Sequence, residues 1–465
     1  MGSTPARANQ SPAPLPGLFE QLALQVVEGV ATLLLTLATW VVSFPVLSGP
    51  AVVSGTIALR WDWRAGTATA VAFLLLFAVW CLAWPGGFRR FVTGPIRARW
   101  RSSTVYRQPW TNTCALHGLT KSLDGSVVVP ALRRISVGDS RDVLTVRMLP
   151  GQSTADWQKQ AEALAHAFGA YFVRVRGIQP GWVAIEVQHC DRLAQVVRVR
   201  APEVAPDLNG IPIGIREDGS PWLLRIIGRH LLVAGATGAG KGGVVWSLLA
   251  GLGPAIREGM VQVWVIDPKG GMEFGSGQAM FSRFAYDTAE TALVLLREAA
   301  SVLSSRAVRL RGVSRQHVPS PEEPLVVVII DEIASLTAYV TDRKVKAEIE
   351  QLLGLLLSQG RAVGVSVIGC LQDPSKEVLG LRQLFPTRIA LRLTEMTQTA
   401  MVLGQGARER GALCELIPDS LPGVGYVAED GHAELTRVRA FHVTDDDIAE
   451  IARTYRPTAP PGADR

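Results

Sequence analysis

Leu231-Leu-Val-Ala-Gly-Ala-Thr-Gly-Ala-Gly-Lys-Gly-Gly243 runs an apolar strand straight into a glycine-rich loop. The strand delivers the chain to a tight turn whose glycines expose successive backbone N–H groups. The helical stretch Val244–Leu252 then points its positive end at the same spot. Gly235, Ala236, Thr237, Gly238, Ala239, Gly240, Lys241, Gly242 and Gly243 read as a cradle for phosphates, with Lys241 as a point charge for the outer ones. Strand, loop, lysine and helix in this order predict a nucleotide site, with ATP and Mg2+ as the expected ligands.

One position departs from the pattern. The residue after the lysine should carry a hydroxyl to ligate magnesium, and Gly242 has none. Thr237, Ser247 or a water molecule could take over, or the site could bind nucleotide and turn it over slowly.

Downstream, continuous apolar runs alternate with helices, the signature of a parallel sheet covered on both faces. Val261–Ile266 ends in Asp267-Pro-Lys269, Leu325–Ile330 in Asp331-Glu332, and Val365–Cys370 is followed by Gln372. Ligands bind at the carboxyl edge of such a sheet, so these polar groups should face the phosphates held by Lys241. Asp331 can hold the magnesium shell and Glu332 can orient and deprotonate a water; a helix N-cap is the plainer reading of Asp331. Gln372 either senses the terminal phosphate or satisfies its own loop. Arg306, Arg309, Arg311 and Arg315 form a basic cluster that is either a solvated face or a track for a nucleic-acid backbone.

The chain has 465 residues, a formal charge of +6 and a pI near 9.2, a mild basic excess that does not choose a partner by itself. Only seven of its 47 basic residues are lysines, as a GC-rich genome produces. Five scattered cysteines exclude a disulfide framework or zinc spacing; Cys81 and Cys370 lie in apolar runs and read as packing residues. Gly29–Leu59 is 31 residues without a charge and Ala65–Phe88 is 24, which predicts two membrane-spanning helices in residues 26–88. Arg89, Arg90, Arg97, Arg99 and Arg101 after the second run place both termini in the cytoplasm and the protein in the cell membrane. Residues 1–25 and 456–465 read as disordered tails, 89–104 as a basic juxtamembrane linker, 105–205 as a small α/β domain and 206–455 as the ATPase.

The segments Gly235-Ala-Thr-Gly-Ala-Gly-Lys241, Ile266-Asp-Pro-Lys269, Val328-Ile-Ile-Asp-Glu-Ile333, Gly360-Arg-Ala-Val-Gly364, Leu371-Gln-Asp-Pro-Ser375 and Pro386-Thr-Arg-Ile-Ala390 resemble the FtsK/SpoIIIE family of membrane-anchored DNA translocases. Within it they are similar to the TraB-like plasmid-transfer proteins of high-GC Gram-positive bacteria. The resemblance implies a RecA-like P-loop ATPase with a mainly parallel sheet, preceded by a small α/β domain and a two-helix transmembrane hairpin. It also implies a hexameric ring around double-stranded DNA, with an arginine from the neighbouring subunit completing each ATP site. Arg361 and Arg388 are the candidates carried over, and each could instead be a structural ion-pair partner.

Two further departures matter. Asp373 stands where the family more often has arginine, and the motor is expected to end at Phe441-His-Val-Thr-Asp445 and the following short helix, without room for a winged-helix module. DNA contact through the backbone with little base preference is expected, unless a separate protein guides the chain. The readings weighed beside conjugative DNA transfer are a chromosome-segregation pump, the motor of a protein-secretion system, a scaffold that binds nucleotide without turnover, and an exporter ATPase. The exporter is disfavoured because Leu357-Ser-Gln-Gly360 follows the acidic strand rather than preceding it.

Overall fold

The computed structural model describes residues 45–457 apart from 124, 201, 203, 205, 206, 375–378 and 433. The chain divides into two compact units between His189 and Cys190.

The first unit opens with helices α1 (Pro45–Arg60) and α2 (Trp63–Ala83), joined by Trp61 and Asp62. The Asp62 carboxylate caps α2 by accepting the Arg64 N–H at 3.3 Å. Gly66 on α2 lies against Ala58 so closely that a Cβ would collide with its backbone, so the tight reversal depends on a residue with no side chain. Among the described residues, α2 alone is long and apolar enough to cross a membrane. Most of the first expected span, and the N-terminal tail, fall in residues 1–44, outside the described residues. Cys81, expected as a packing residue, is exposed on α2.

The stretch expected as a basic linker, 89–104, is helical. Backbone helix continues from Pro85 to Arg107 through two π-helical turns, Arg89–Thr93 and Arg101–Arg107. A short hairpin, β1 (Lys121–Leu123) and β2 (Ser126–Val128), precedes an antiparallel sheet of β3 (Ala131–Val137), β4 (Arg141–Arg147), β5 (Phe172–Gln179) and β6 (Trp182–Gln188) in the order β3-β4-β6-β5. Alternation puts Leu144 and Val146, Val173 and Val175, and Val183, Ile185 and Val187 on one face, which packs on α3 (Thr154–Lys159) and α4 (Ala161–Ala167). The fully buried Asp142 accepts hydrogen bonds from Tyr106 Oη (2.6 Å), Arg101 Nη1 (3.2 Å) and the Gly138 N–H (3.1 Å), and meets His189 Nε2 at 2.9 Å. This fastens the second π turn to the sheet.

The second unit is built on a ten-stranded mixed sheet. Its strands are β7 (Ile211–Arg216), β8 (Pro221–Leu224), β9 (Leu231–Ala234), β10 (Val261–Ile266), β11 (Arg283–Ala285), β12 (Leu325–Ile330), β13 (Val365–Leu371), β14 (Thr387–Leu391), β15 (Val424–Glu429) and β16 (Thr436–Ala440). Their order is β11-β10-β12-β13-β9-β14-β15-β16-β7-β8. From β11 to β14 every pairing is parallel; from β14 to β8 every pairing is antiparallel, so the mainly parallel expectation holds for one part of the sheet.

The parallel strands are buried on both faces, and their alternate residues feed two separate cores. Val326, Val328 and Ile330 of β12 face α6 (Ala289–Leu310) and α7 (Arg343–Gln359); Leu325, Val327 and Ile329 face α5 (Lys241–Arg257) and α9 (Asp445–Thr454). A further helix, α8 (Met396–Leu403), follows β14. Cys370 on β13 is a core residue, as its apolar run predicts.

Residues 190–199 belong with this unit, although the sequence-based domain boundary was 205. The Asp191 carboxylate takes a two-pronged ion pair from Arg437 on β16, both contacts 2.9 Å, and Arg439 Nη1 donates to the Leu193 (2.7 Å) and Ala194 (3.0 Å) carbonyls. Arginines inside a strand read as exposed alternation in a sequence, so these anchors were not visible there.

Candidate nucleotide site

The loop between β9 and α5 is held from both sides. The Gly235 N–H donates to the Leu371 carbonyl at the tip of β13 (3.0 Å), and the Ala236 N–H to the Arg392 carbonyl beyond β14 (2.8 Å). Gly240 has φ +94°, a left-handed conformation that a side chain would strain, and a Cβ there would strike the Gly423 backbone. Lys241 is the first residue of α5, and its ammonium donates to the loop's own Gly235 (2.7 Å) and Ala236 (3.2 Å) carbonyls. Burial holds its pKa below the ordinary lysine value, with Lys269 adding to that and Glu332 and Asp331 opposing it.

The acidic pair lies at the end of β12, with β13 between it and the phosphate loop. Asp331 is buried and accepts from Lys269 Nζ at 2.7 Å. Glu332 starts the helix Ile333–Thr337 but makes no side-chain cap, so capping does not account for its carboxylate. Glu332 is 5% exposed, and its Oε1 has no hydrogen-bond partner. Burial pushes its pKa above the ordinary carboxyl value, although Lys269, a hydrogen bond from the Gln372 backbone and Lys241 pull the other way. Gln372 Oε1 in turn accepts from Thr237 Oγ1 at 3.4 Å. Gln372 therefore links the acid to the phosphate loop.

The structure thus brings Lys241, Thr237, Asp331, Glu332 and Gln372 to one sheet edge. Arg361 and Arg388 lie elsewhere. Arg361 is exposed in the turn before β13, and Arg388 pairs in register with Leu232 near the start of β9, contacting Asp430 at 3.5 Å. Both therefore sit at the amino edge of the parallel strands, opposite the phosphate loop.

The basic cluster is not a uniform surface. Arg306 is 6% exposed and donates to the carbonyls of Val363 (3.2 Å), Gly364 (3.0 Å) and Pro324 (2.6 Å), so it clamps α6 to the strand ends. Arg311 and Arg315 are exposed.

Two contributors escaped sequence reasoning. Arg392 donates to the Thr237 carbonyl (2.9 Å) and pairs with Asp419 (2.8 Å), and its place just past a strand's carboxyl end was the available signal. Glu273 lies directly over Gly242: a Cβ on Gly242 would sit 2.9 Å from Glu273 Cδ and nearer still to Oε1. No spacing in the sequence pairs these two positions.

The residues fit a nucleotide with a divalent cation. A loop of backbone amides meets an ammonium group, and a buried carboxylate oxygen without a partner faces the same space. Ser247, one of the expected substitutes for the missing hydroxyl, is fully buried and already donates to the Gly243 carbonyl at 2.6 Å.

Strand, loop and acid pair define a P-loop ATPase fold. The FtsK/SpoIIIE family model matches residues 198–402, and a model for the N-terminal domain of actinomycete conjugal transfer proteins matches residues 102–189. Residues 198–402 therefore carry an FtsK/SpoIIIE-type domain. It is 23% identical over 361 residues to the DNA translocase FtsK of Halalkalibacterium halodurans, covering 72% of this chain and 44% of that protein. Against the FtsK of Corynebacterium efficiens it is 23% identical over 395 residues, covering 76% and 39%. The chain thus spans less than half the length of these curated relatives. Among solved structures, the pCW3 conjugation coupling protein TcpA, in monomer form with ATPγS, superposes with a TM-score of 0.50 at 19% identity, covering 74% of this chain and 98% of that one.

Proposed function

We propose that this protein is a membrane-anchored, ATP-dependent translocase of double-stranded DNA that moves plasmid or integrative-element DNA during conjugative transfer. The observation that carries the reading is the convergence of Lys241, Asp331, Glu332 and Gln372 on one sheet edge, with Glu332 Oε1 buried and unpartnered. The match of residues 102–189 to conjugal transfer proteins supports the biological setting.

In this reading Lys241 exchanges its two loop carbonyls for phosphate oxygens. Glu332, with its raised pKa, accepts the proton of the attacking water. Gln372 relays the state of the terminal phosphate through its contacts to Glu332 and Thr237. Asp331 and Thr237 would hold Mg2+, which would supply positive charge to offset that of the phosphates. Arg361 and Arg388 occupy the opposite sheet edge, which suits a head-to-tail hexameric ring where one subunit's arginine reaches its neighbour's site. Helix α2, apolar all round with Leu74, Leu75, Leu76 and Leu82 exposed, serves as a membrane anchor in the cell membrane, paired with a second span that includes α1, and both termini are cytoplasmic. A separate protein guides the motor to its DNA.

The test is ATP turnover by the full chain in detergent, with duplex DNA, single-stranded DNA or a secreted protein added. Duplex should stimulate turnover most, and Lys241→Ala and Glu332→Gln should abolish it. Full stimulated activity in either variant, or stimulation by the protein alone, would overturn the reading. A chromosome-segregation pump is the second reading, favoured by the likeness to FtsK translocases; loss of plasmid transfer with normal division in a deletion strain separates the two.

A further inference from the structure

We propose that Glu273 supplies the metal-ligating oxygen that the phosphate loop lacks at Gly242. The inference rests on the nucleotide-site reading above and identifies the residue that completes it.

The first argument is steric. In a loop with serine or threonine after the lysine, a Cβ and hydroxyl project from that position. Here the same space holds the Glu273 carboxylate, and a Cβ on Gly242 would overlap it. Glycine at 242 leaves that space open to the glutamate, whereas a larger residue there would push the end of the Glu273 side chain aside.

The second argument is that Glu273 is held there. The Asp267 carboxylate accepts the backbone N–H of Lys269 (3.3 Å), Glu273 (3.0 Å) and Phe274 (3.1 Å), which fixes the turn after β10. Phe274 is fully buried and packs on Trp246 of α5, with ring centroids 5.6 Å apart. The backbone of the residue before it is thus fixed, and the exposed Glu273 side chain reaches from there into the space over Gly242. Asp267 spends its oxygens on this turn and serves as a positioning residue.

The third argument concerns the remaining candidates and the charge balance. Ser247 is committed to the Gly243 carbonyl, so it does not replace the hydroxyl missing at 242. Glu273 feels Asp331 and Asp267 as like charges and Lys269 and Lys241 as opposite ones, an arrangement that a divalent cation relieves. Among the described residues no three His, Cys, Asp or Glu side chains come together as a metal site on their own. The cation must therefore complete its shell with nucleotide oxygens, and metal and nucleotide should bind only together. A carboxylate in place of a neutral hydroxyl adds one negative charge to the shell, which favours tighter divalent binding.

The experiment uses the full chain in detergent, a fluorescent non-hydrolysable ATP analogue, and Mg2+ or Mn2+ titrations, with Mn2+ occupancy read by electron paramagnetic resonance. Wild type should bind Mn2+ only when the analogue is present. Glu273→Gln should weaken the apparent metal affinity at least about tenfold, while analogue affinity in chelator stays the same or rises. Gly242→Ser alone should not tighten metal-dependent binding, because its side chain and the Glu273 carboxylate compete for one space. Gly242→Ser with Glu273→Ala should restore metal-dependent binding, since the hydroxyl then has both room and a role. Unchanged metal dependence in Glu273→Gln, or no rescue in the double variant, would overturn the inference and leave the nucleotide site intact. No analogue binding by wild type at any metal concentration would overturn the nucleotide-site reading itself, and this inference with it.

Discussion

Replacing Glu332 with glutamine should make the unliganded protein more stable while removing its catalysis. The carboxylate is 5% exposed, and its Oε1 has no hydrogen-bond partner, so the native state carries an incompletely solvated charge. A buried unsatisfied group costs about 1–3 kcal/mol. Lys269, Lys241 and the Gln372 N–H already offset part of that, so we expect Glu332→Gln to gain about 1–2 kcal/mol, the lower half of the range. Glutamine keeps an acceptor for the Gln372 N–H and nearly the same volume but puts an amide where Oε1 has no partner, so the gain comes from removing the charge. The sign of the pH effect follows from the raised pKa. Between the ordinary carboxyl value of 4.5 and the raised native value, the folded protein binds more protons than the unfolded chain, so stability falls as pH rises through that window. Thermal unfolding of the unliganded full chain measures this, at about 2–4 °C per kcal/mol for a domain of 150–250 residues. Wild type should lose stability across the window and Glu332→Gln should not, while ATP turnover in the variant falls by about 10²–10⁴-fold, to the background of the assay. A variant that unfolds at a lower temperature than wild type would show that the carboxylate is well satisfied, and would remove the argument for it as the general base.

Arg306→Ala should destabilise the protein by about 3 kcal/mol or more, because three carbonyls lose a charged donor; chemical unfolding checks this, and a change within about 0.5 kcal/mol would return Arg306 to the surface. Asp142→Ala should cost about 3–5 kcal/mol by leaving Arg101 and Tyr106 without their acceptor. Burial alone would raise the Asp142 pKa, but the His189 and Tyr106 hydrogen bonds and the Arg101 charge together hold it below the ordinary value, so its contribution is present above pH 3.8 and lost as pH falls below that. An acid unfolding curve that is identical in wild type and variant would refute this.

How much of this was legible depended on where each interaction closes. β9, β10, β12 and β13 were readable because strands buried on both faces are almost wholly apolar; β9 runs into the phosphate loop, and the other three are followed by Asp267, Asp331 and Gln372 at the ligand edge. Lys241, Asp331, Glu332 and Gln372 follow from that rule with no tertiary information. The antiparallel half of the sheet was not readable, since β15, β16, β7 and β8 pair through contacts whose register no local pattern encodes. Arg306 misled for a related reason. A basic run reads as solvated unless the carbonyls that bury one member are known, and those come from residues 324, 363 and 364. The linker 89–104 was legible in charge but not in shape, because its arginines say nothing about the π turns that bring Arg101 and Tyr106 to Asp142.

Gly242 shows the same limit from the other side. Alone, it is a defect in a phosphate loop, and it invites a slow or inactive site. Beside Glu273 it gains a use, since the glycine leaves open the space that the glutamate carboxylate occupies. The two form one unit held by Asp267 and Phe274, so substitution at either position should be judged only with the other in view. Charge supports the same conclusion. Lys241 and Lys269 face four carboxylates, those of Asp267, Glu273, Asp331 and Glu332, and a site with that excess of negative charge repels a bare triphosphate. A divalent cation arriving with the nucleotide removes the conflict, which makes metal dependence of binding, rather than of turnover alone, the property this loop is built to have.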